Sequence, residues 1–110
     1  MTADLKRLNA FSPALATYRM DEVTQGIIPY DTGIMLRRLD NPDNPDDPSE
    51  LRRFIRENPT GKILLLERNL RFIPEDLRGR WRLIQRWRYS KHRIYCLYDF
   101  DQPGSLFLLK

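Results

Sequence analysis

The stretch from Arg78 to Phe100 restricts the fold of this chain more than any other part of its sequence. It contains both tryptophans, the single histidine and the single cysteine among 110 residues. A period of two, the period of a β-strand, places one aromatic and apolar set of side chains on the same face. That set is Trp81, Leu83, Trp87 and Tyr89. The opposite face receives Arg82, Arg86 and Arg88 together with Ile84.

The residues that follow indicate a β-hairpin. Tyr89 to His92 form a polar break, and the alternation resumes at Ile94 and runs to Phe100. We therefore expect two antiparallel strands, with both tryptophans turned together toward the core and the three arginines turned toward solvent.

The rest of the chain alternates between strand and helix patterns. Apolar runs predict strands over 14–19, 33–39, 62–67 and 106–109. The sequence Asp47-Pro48-Ser49-Glu50 has the residues of a helix start, and shorter helices are predicted near 4–9, 21–25 and 74–77. Strand, helix and strand from Gly33 to Glu67 form a βαβ unit, in which the two strands run parallel.

The predicted fold class is therefore α/β. We expect a mixed sheet of about five strands, in which a βαβ unit is followed by a C-terminal antiparallel meander, with two or three helices packed on it. The length suits a single globular domain over 1–110, with an acidic Pro/Asx loop at 40–48. The longest apolar run, from Ile63 to Leu66, is far too short to span a membrane.

Charge is distributed unevenly along the chain. Residues 1–50 carry five Lys or Arg against nine Asp or Glu, whereas residues 51–93 carry thirteen against four. This asymmetry predicts either a basic face for an anionic partner or two patches that attract each other within the fold.

No catalytic constellation, cofactor motif or metal site is indicated. His92 and Cys96 are four residues apart, but a histidine in a turn and a cysteine on the apolar side of a strand favour a structural interpretation over a catalytic pair. The acids of the 40–48 loop lack the glycine and glutamate positions of a calcium loop. We expect the isolated chain to be non-catalytic.

The basic hairpin is the one feature that indicates binding. It offers seven candidate anion-binding residues, with Tyr89 and Tyr95 as candidates for aromatic contact. The seven are Arg78, Arg80, Arg82, Arg86, Arg88, Lys91 and Arg93. A strand with one face in water also needs polar or charged residues at every second position, whether or not it binds anything. A face that is merely solvated therefore remains the simpler interpretation.

The order of the elements over roughly 14–100 resembles the soluble C-terminal domain of bacterial membrane glycosyltransferases of the dolichyl-phosphate-mannose-protein mannosyltransferase type. The resemblance rests on a strand ending at Tyr18, a turn at Tyr30, the helix carrying Leu51 and Phe54, and the turn Ile73-Pro74-Glu75-Asp76-Leu77. It implies an accessory domain on the extracytoplasmic face of a membrane, with the membrane surface or a lipid-linked sugar as partner. It carries over no catalytic residue.

A second resemblance covers about thirty residues. Leu77 to Arg82 and Arg93 to Asp99 are similar to the sheet of RelE/ParE-type toxins, which implies a cytoplasmic protein that binds RNA or the ribosome through its positive hairpin. The N-terminal half departs from those toxins, which open with a strand and a long helical hairpin. A small inhibitor that binds a host protein is a third possibility.

Overall fold

One mixed sheet organises the computed structural model of the chain. The structure describes residues 1–8, 10–11, 14–21, 24, 36–40, 43–44 and 46–100. Within them the strands are β1 (Leu15–Thr17), β2 (Arg37–Arg38), β3 (Lys62–Leu66), β4 (Trp81–Arg88) and β5 (Ile94–Phe100). The helices are α1 (Thr2–Arg7), α2 (Ser49–Glu57), a 3₁₀-helix (Glu67–Phe72) and α3 (Glu75–Arg78).

The sheet has the strand order β2-β1-β3-β5-β4. β1 pairs in parallel with both β2 and β3, so the strands of the predicted βαβ unit do run parallel, with β1 between them. β5 is antiparallel to β3 and to β4, which leaves β4 at the edge. The α/β class and the mixed sheet are confirmed, and the strand predicted over 106–109 lies outside the described residues.

The start of α2 shows why a sequence-predicted helix forms where it does. The Asp47 carboxylate accepts hydrogen bonds from the Ser49 backbone amide at 3.0 Å and from the Ser49 hydroxyl at 2.5 Å. It thereby satisfies one of the amide groups that a helix leaves without an internal partner at its N-terminus. The helices predicted near 4–9 and 74–77 are also present, whereas the one near 21–25 lies mostly outside the described residues.

Side chains pack on both faces of the sheet. One cluster joins α1 to the face that carries Leu64, Leu66 and Leu97. The other joins α2 and the 3₁₀-helix to the face that carries Ile63 and Leu65. β3 contributes to both clusters because it is a central strand covered on each side, as its unbroken apolar run predicts.

A bulge in β4 overturns the predicted face of the tryptophans. Leu83 lies opposite Tyr98 but Gln85 lies opposite Leu97, so one extra residue is accommodated between them. An inserted residue inverts the alternation of every side chain beyond it. Trp81 therefore packs in the cluster with α2, and Trp87 packs in the cluster with α1. The prediction that both tryptophans share one face is wrong.

The same bulge divides the arginines. Arg82 lies opposite Asp99, whereas Arg86 lies opposite Cys96. Asp99 and Cys96 are three residues apart on β5 and therefore belong to opposite faces, so Arg82 and Arg86 do too. Leu83, predicted to face the core, is 48% exposed. The prediction that β4 has a single arginine face is therefore also wrong, because the bulge interrupts the two-residue alternation of its side chains.

Several acids of the N-terminal half pair with arginines of that same half. Arg19, in the left-handed region at φ 50°, donates from its guanidinium to Asp46 at 2.9 Å and lies 3.7 Å above the Phe72 ring. Its backbone amide donates to Asp40, the first residue of the acidic loop, at 3.2 Å. The described contacts of Arg19 therefore neutralise acids of its own half of the chain, and the attraction between an acidic and a basic patch stays a prediction.

Candidate anion-binding site

The carboxyl ends of β1 and β3 lie beside the turn that joins β4 to β5. Along the chain, β1 is followed by β2 on one side of it, and β3 is then added on its other side. The strand order therefore changes direction between β1 and β3, which are adjacent and parallel. Such a switch point, at the carboxyl ends of parallel strands, is where open α/β sheets commonly bind ligands. Leu66 at the end of β3 lies opposite Tyr95 near the start of β5, which brings the hairpin turn to the same edge.

A cleft of about 340 Å³ opens at this edge. Asp21, Leu66, Arg68 and Arg93 line it. Asp21 follows β1, Leu66 ends β3, Arg68 lies in the first turn of the 3₁₀-helix, and Arg93 comes from the hairpin turn. Two arginines from separate elements and one aspartate therefore line the same small opening.

The hydroxyl of Tyr95 organises the floor of this cleft. It donates to the Asp21 carboxylate at 2.9 Å, lies 3.1 Å from the donating Arg93 guanidinium, and lies 2.9 Å from the Thr24 hydroxyl. A phenol can donate one hydrogen bond and accept two, so these three contacts use its full capacity when Thr24 donates. The other Asp21 oxygen accepts the Thr24 backbone amide at 2.9 Å. Arg93 is thus held in a fixed orientation.

Two opposing effects act on the Asp21 carboxyl group. Burial raises the pKa of Asp21, but the hydrogen bonds from Thr24 and Tyr95 outweigh it and leave the pKa below 3.8, the ordinary value. The charged form is therefore the one that the folded protein stabilises.

We expect acid to destabilise the wild-type protein more than the Asp21→Asn variant. Since the folded-state pKa is lowered, the stabilisation from this carboxylate is present above pH 3.8 and is lost as the pH falls through the folded-state value. Thermal midpoints measured from pH 6 downward should therefore fall more steeply in wild type. Tyr95→Phe, which removes one of these hydrogen bonds, should give an intermediate slope, and parallel curves for all three proteins would contradict this assignment.

Two of the sequence-predicted anion-binding residues are neutralised. Arg82 forms a two-point ion pair with Asp99 across the β4–β5 ladder. Arg86 contacts the Glu67 carboxylate at 2.5 and 3.3 Å, and this contact lowers the pKa of Glu67. Neither guanidinium offers an open charge at the cleft.

Arg78 and Arg80 lie at the other end of the hairpin. They precede β4, whose eight residues separate them from the turn by roughly 25 Å at the rise of an extended strand. Arg78 is also engaged with the backbone oxygen of Leu70 at 3.4 Å and lies 3.8 Å from Glu75. These two residues are not part of the cleft.

Four cations remain at the turn end of the sheet, and we call them the basic end: Arg68, Arg88, Lys91 and Arg93. All four are exposed, and none has a described carboxylate within salt-bridge distance. Arg68 was missed by sequence reasoning, since it stands outside the hairpin. Its position just after a buried, parallel strand was the signal that could have identified it.

The two candidate aromatic residues differ in accessibility. Tyr89 is 56% exposed beside the basic end, and its ring meets that of Tyr95 edge to face at 5.7 Å. Tyr95 itself is only 1% exposed. Tyr95 therefore cannot stack on a ligand, and its contribution comes through its hydroxyl group.

The cysteine and the histidine, which could in principle react, do not form a pair of interacting side chains among the described contacts. Cys96 is buried, with its sulfur 3.8 Å from the Glu67 carboxylate, and burial raises the pKa of its thiol. His92 is exposed in the turn. Among the described residues, no three His, Cys, Asp or Glu side chains are grouped so as to hold a metal ion.

The helices of the described segments are all too short or too polar for a membrane crossing. Comparisons with protein-family models, curated proteins and solved structures find no match to this chain.

Proposed function

We propose that this chain is a non-catalytic binding domain whose basic end contacts phosphate groups at a membrane surface. We further propose that it serves a membrane glycosyltransferase that uses a lipid-linked sugar donor, as the first resemblance implies. The observation that carries the binding proposal is the difference between the arginines that form ion pairs and the cations of the basic end. Arg82 and Arg86 are paired with acids, while the four cations of the basic end are exposed and have no described carboxylate within salt-bridge distance.

Charge arithmetic supports an anionic surface as the partner. A Lys or Arg close to an anionic leaflet contributes about 1 kcal/mol of attraction, so a group of four is enough for reversible attachment. Internal ion pairs compete with this attraction, because a cation already beside a carboxylate gains little from a second anion. The four cations of the basic end lie at one end of the sheet, which suits contact with a surface.

An RNA-directed function is the competing proposal. The feature that favours it is Tyr89, an exposed ring that directly follows Arg88 in the chain, since proteins bind single-stranded nucleic acids through a combination of positive charge and stacking. The division of the β4 arginines between two faces weighs against it, because a toxin-like positive sheet face would need those charges on one side.

We expect Arg88→Gln/Lys91→Gln to bind anionic vesicles roughly 30-fold more weakly than wild type, since two cations are lost at about 1 kcal/mol each. The measurement is vesicle co-sedimentation with 30 mol% phosphatidylglycerol, at about 0.1 M salt. Both side chains are exposed, so folding should be retained.

The matched control is Lys6→Gln/Arg56→Gln, which removes one lysine and one arginine from exposed positions on α1 and α2. It should bind within about twofold of wild type, since it keeps the basic end. Equal losses in both double variants would show that only net charge matters and would overturn the proposal. Tighter binding to single-stranded RNA than to vesicles, weakened by Tyr89→Ala, would support the RNA-directed function instead.

A further inference from the structure

We infer that the cleft between Arg68 and Arg93 is a specific site for a terminal phosphate group, a phosphomonoester dianion, with Tyr95 as the residue that positions Arg93. This inference deepens the proposed function by naming the phosphate chemistry that the basic end recognises. The same chemistry occurs in a lipid monophosphate and in a free, soluble phosphomonoester.

The donor geometry of the cleft suits a phosphate group. Arg68 comes from the 3₁₀-helix that follows β3 and Arg93 from the hairpin turn, and both line the same opening. A guanidinium carries five N–H donors, and Arg93 uses one of them on the Tyr95 hydroxyl at 3.1 Å. The others remain for phosphate oxygens, which arginine can bind in a two-point arrangement.

The charge of the cleft favours a dianion over a monoanion. Two guanidinium groups contribute two positive charges, and the Asp21 carboxylate on the same lining contributes one negative charge. Asp21 repels any anion, but its two oxygens already accept hydrogen bonds from Tyr95 and the Thr24 amide, which disperse part of that charge. A phosphomonoester, with close to two negative charges at neutral pH, gains more from the two arginines than a phosphodiester with one.

Preorganisation is the contribution of Tyr95. Its ring is buried, and its hydroxyl is hydrogen-bonded to Asp21 and Thr24, so Arg93 donates to a group that is itself held in place by these contacts. An arginine held before binding loses less side-chain freedom when the ligand arrives. Tyr95 therefore acts through Arg93 and does not touch the phosphate.

The size of the cleft selects a small group. Its volume of about 340 Å³ falls at the lower end of the roughly 300–1,000 Å³ that small-molecule sites span. It accommodates a phosphate with a short attached segment, while a longer substituent would extend out of the opening.

The test is a calorimetric or NMR titration of the full chain with glycerol 3-phosphate, a monoester, and with glycerophosphoglycerol, the corresponding diester. We expect the monoester to bind at least about tenfold more tightly at pH 7.5, and to lose that advantage near pH 5, where the phosphate becomes a monoanion because its second pKa is about 6. Arg68→Gln should weaken monoester binding about tenfold or more, while Arg56→Gln, with the same change of charge on α2, should leave it unchanged.

Tyr95→Phe should lower the ratio of monoester to diester affinity about threefold or more, because Arg93 loses its anchor. A purely structural role would change thermal stability without changing that ratio, which would remove Tyr95 from the assignment. Equal affinities of wild type for the two ligands, or monoester binding that is insensitive to Arg68→Gln, would overturn the inference.

A second experiment, with two kinds of vesicle, distinguishes failure of this inference from failure of the proposed function. Vesicles containing phosphatidic acid and vesicles containing phosphatidylglycerol are compared at equal surface charge. Preference for phosphatidic acid, abolished by Arg68→Gln, assigns the site to a lipid monophosphate. Tight binding of soluble monoester without any vesicle binding assigns it to a free ligand and contradicts the membrane function alone. Vesicle binding without any preference contradicts the cleft alone.

Discussion

Replacing Trp87 by alanine is expected to lower the free energy of unfolding by about 3–5 kcal/mol, the usual cost of removing a large aromatic side chain from a core. Trp87 is 8% exposed and packs in the cluster that holds α1. Its indole N–H donates to the Asp4 carboxylate at 2.7 Å, so it also ties α1 to the hairpin through a hydrogen bond. Urea denaturation followed by far-UV circular dichroism measures the loss.

Trp81→Ala is the matched control for Trp87→Ala. Trp81 is half-buried on the opposite face, where it meets the Phe100 ring at 5.6 Å. We expect a smaller loss of stability there, since less apolar surface returns to water on unfolding. Hydrogen exchange of the α1 amides should accelerate in Trp87→Ala relative to Trp81→Ala. Exchange that rises equally in both variants would contradict the placement of the two indoles on opposite faces.

Replacing Phe54 by alanine is expected to cost a similar 3–5 kcal/mol, roughly, on the other face of the sheet. Phe54 is 2% exposed in α2 and packs edge to face with Phe100 at a centroid distance of 6.2 Å. It also approaches Gly61, where a Cβ atom would lie 3.3 Å from the Phe54 ring. Loss of this side chain should therefore loosen both the helix and the end of β5, as measured by urea denaturation.

The two losses should be independent of each other. Because Trp87 and Phe54 belong to clusters on opposite faces, a double-mutant cycle of Trp87→Phe and Phe54→Leu should be additive to within about 0.5 kcal/mol. These milder substitutions leave a folded double variant to measure. By contrast, Leu5→Ala and Trp87→Phe lie in the same cluster and should be coupled. Strong coupling across the sheet would contradict the two-cluster core.

Local sequence patterns were sufficient for several elements of this fold, although they did not indicate the 3₁₀-helix Glu67–Phe72. The unbroken apolar run of β3 predicted a strand buried on both faces, and Asp47-Pro48-Ser49 predicted the start of α2, because both signals lie within a few consecutive residues. The antiparallel hairpin followed from the same kind of pattern. For these elements, the physical cause acts over one turn or one strand.

The candidate site depended on contacts that are remote in the sequence. Nothing near residue 84 marks the bulge, which arises from the pairing of β4 with β5 and reverses which face receives Trp87 and Arg86. Whether an arginine is paired depends equally on a distant acid, such as Glu67 for Arg86.

Local patterns alone therefore determined an α/β chain with a basic hairpin and a helix that begins just after Asp47-Pro48. Only the tertiary structure decided which arginines pair with described acids, that Arg68 joins Arg93 at one cleft, and that Tyr95 is buried beside it. The reason is that strand order and register, which set these neighbours, result from long-range pairing, whereas sequence patterns report only the local tendency of each segment.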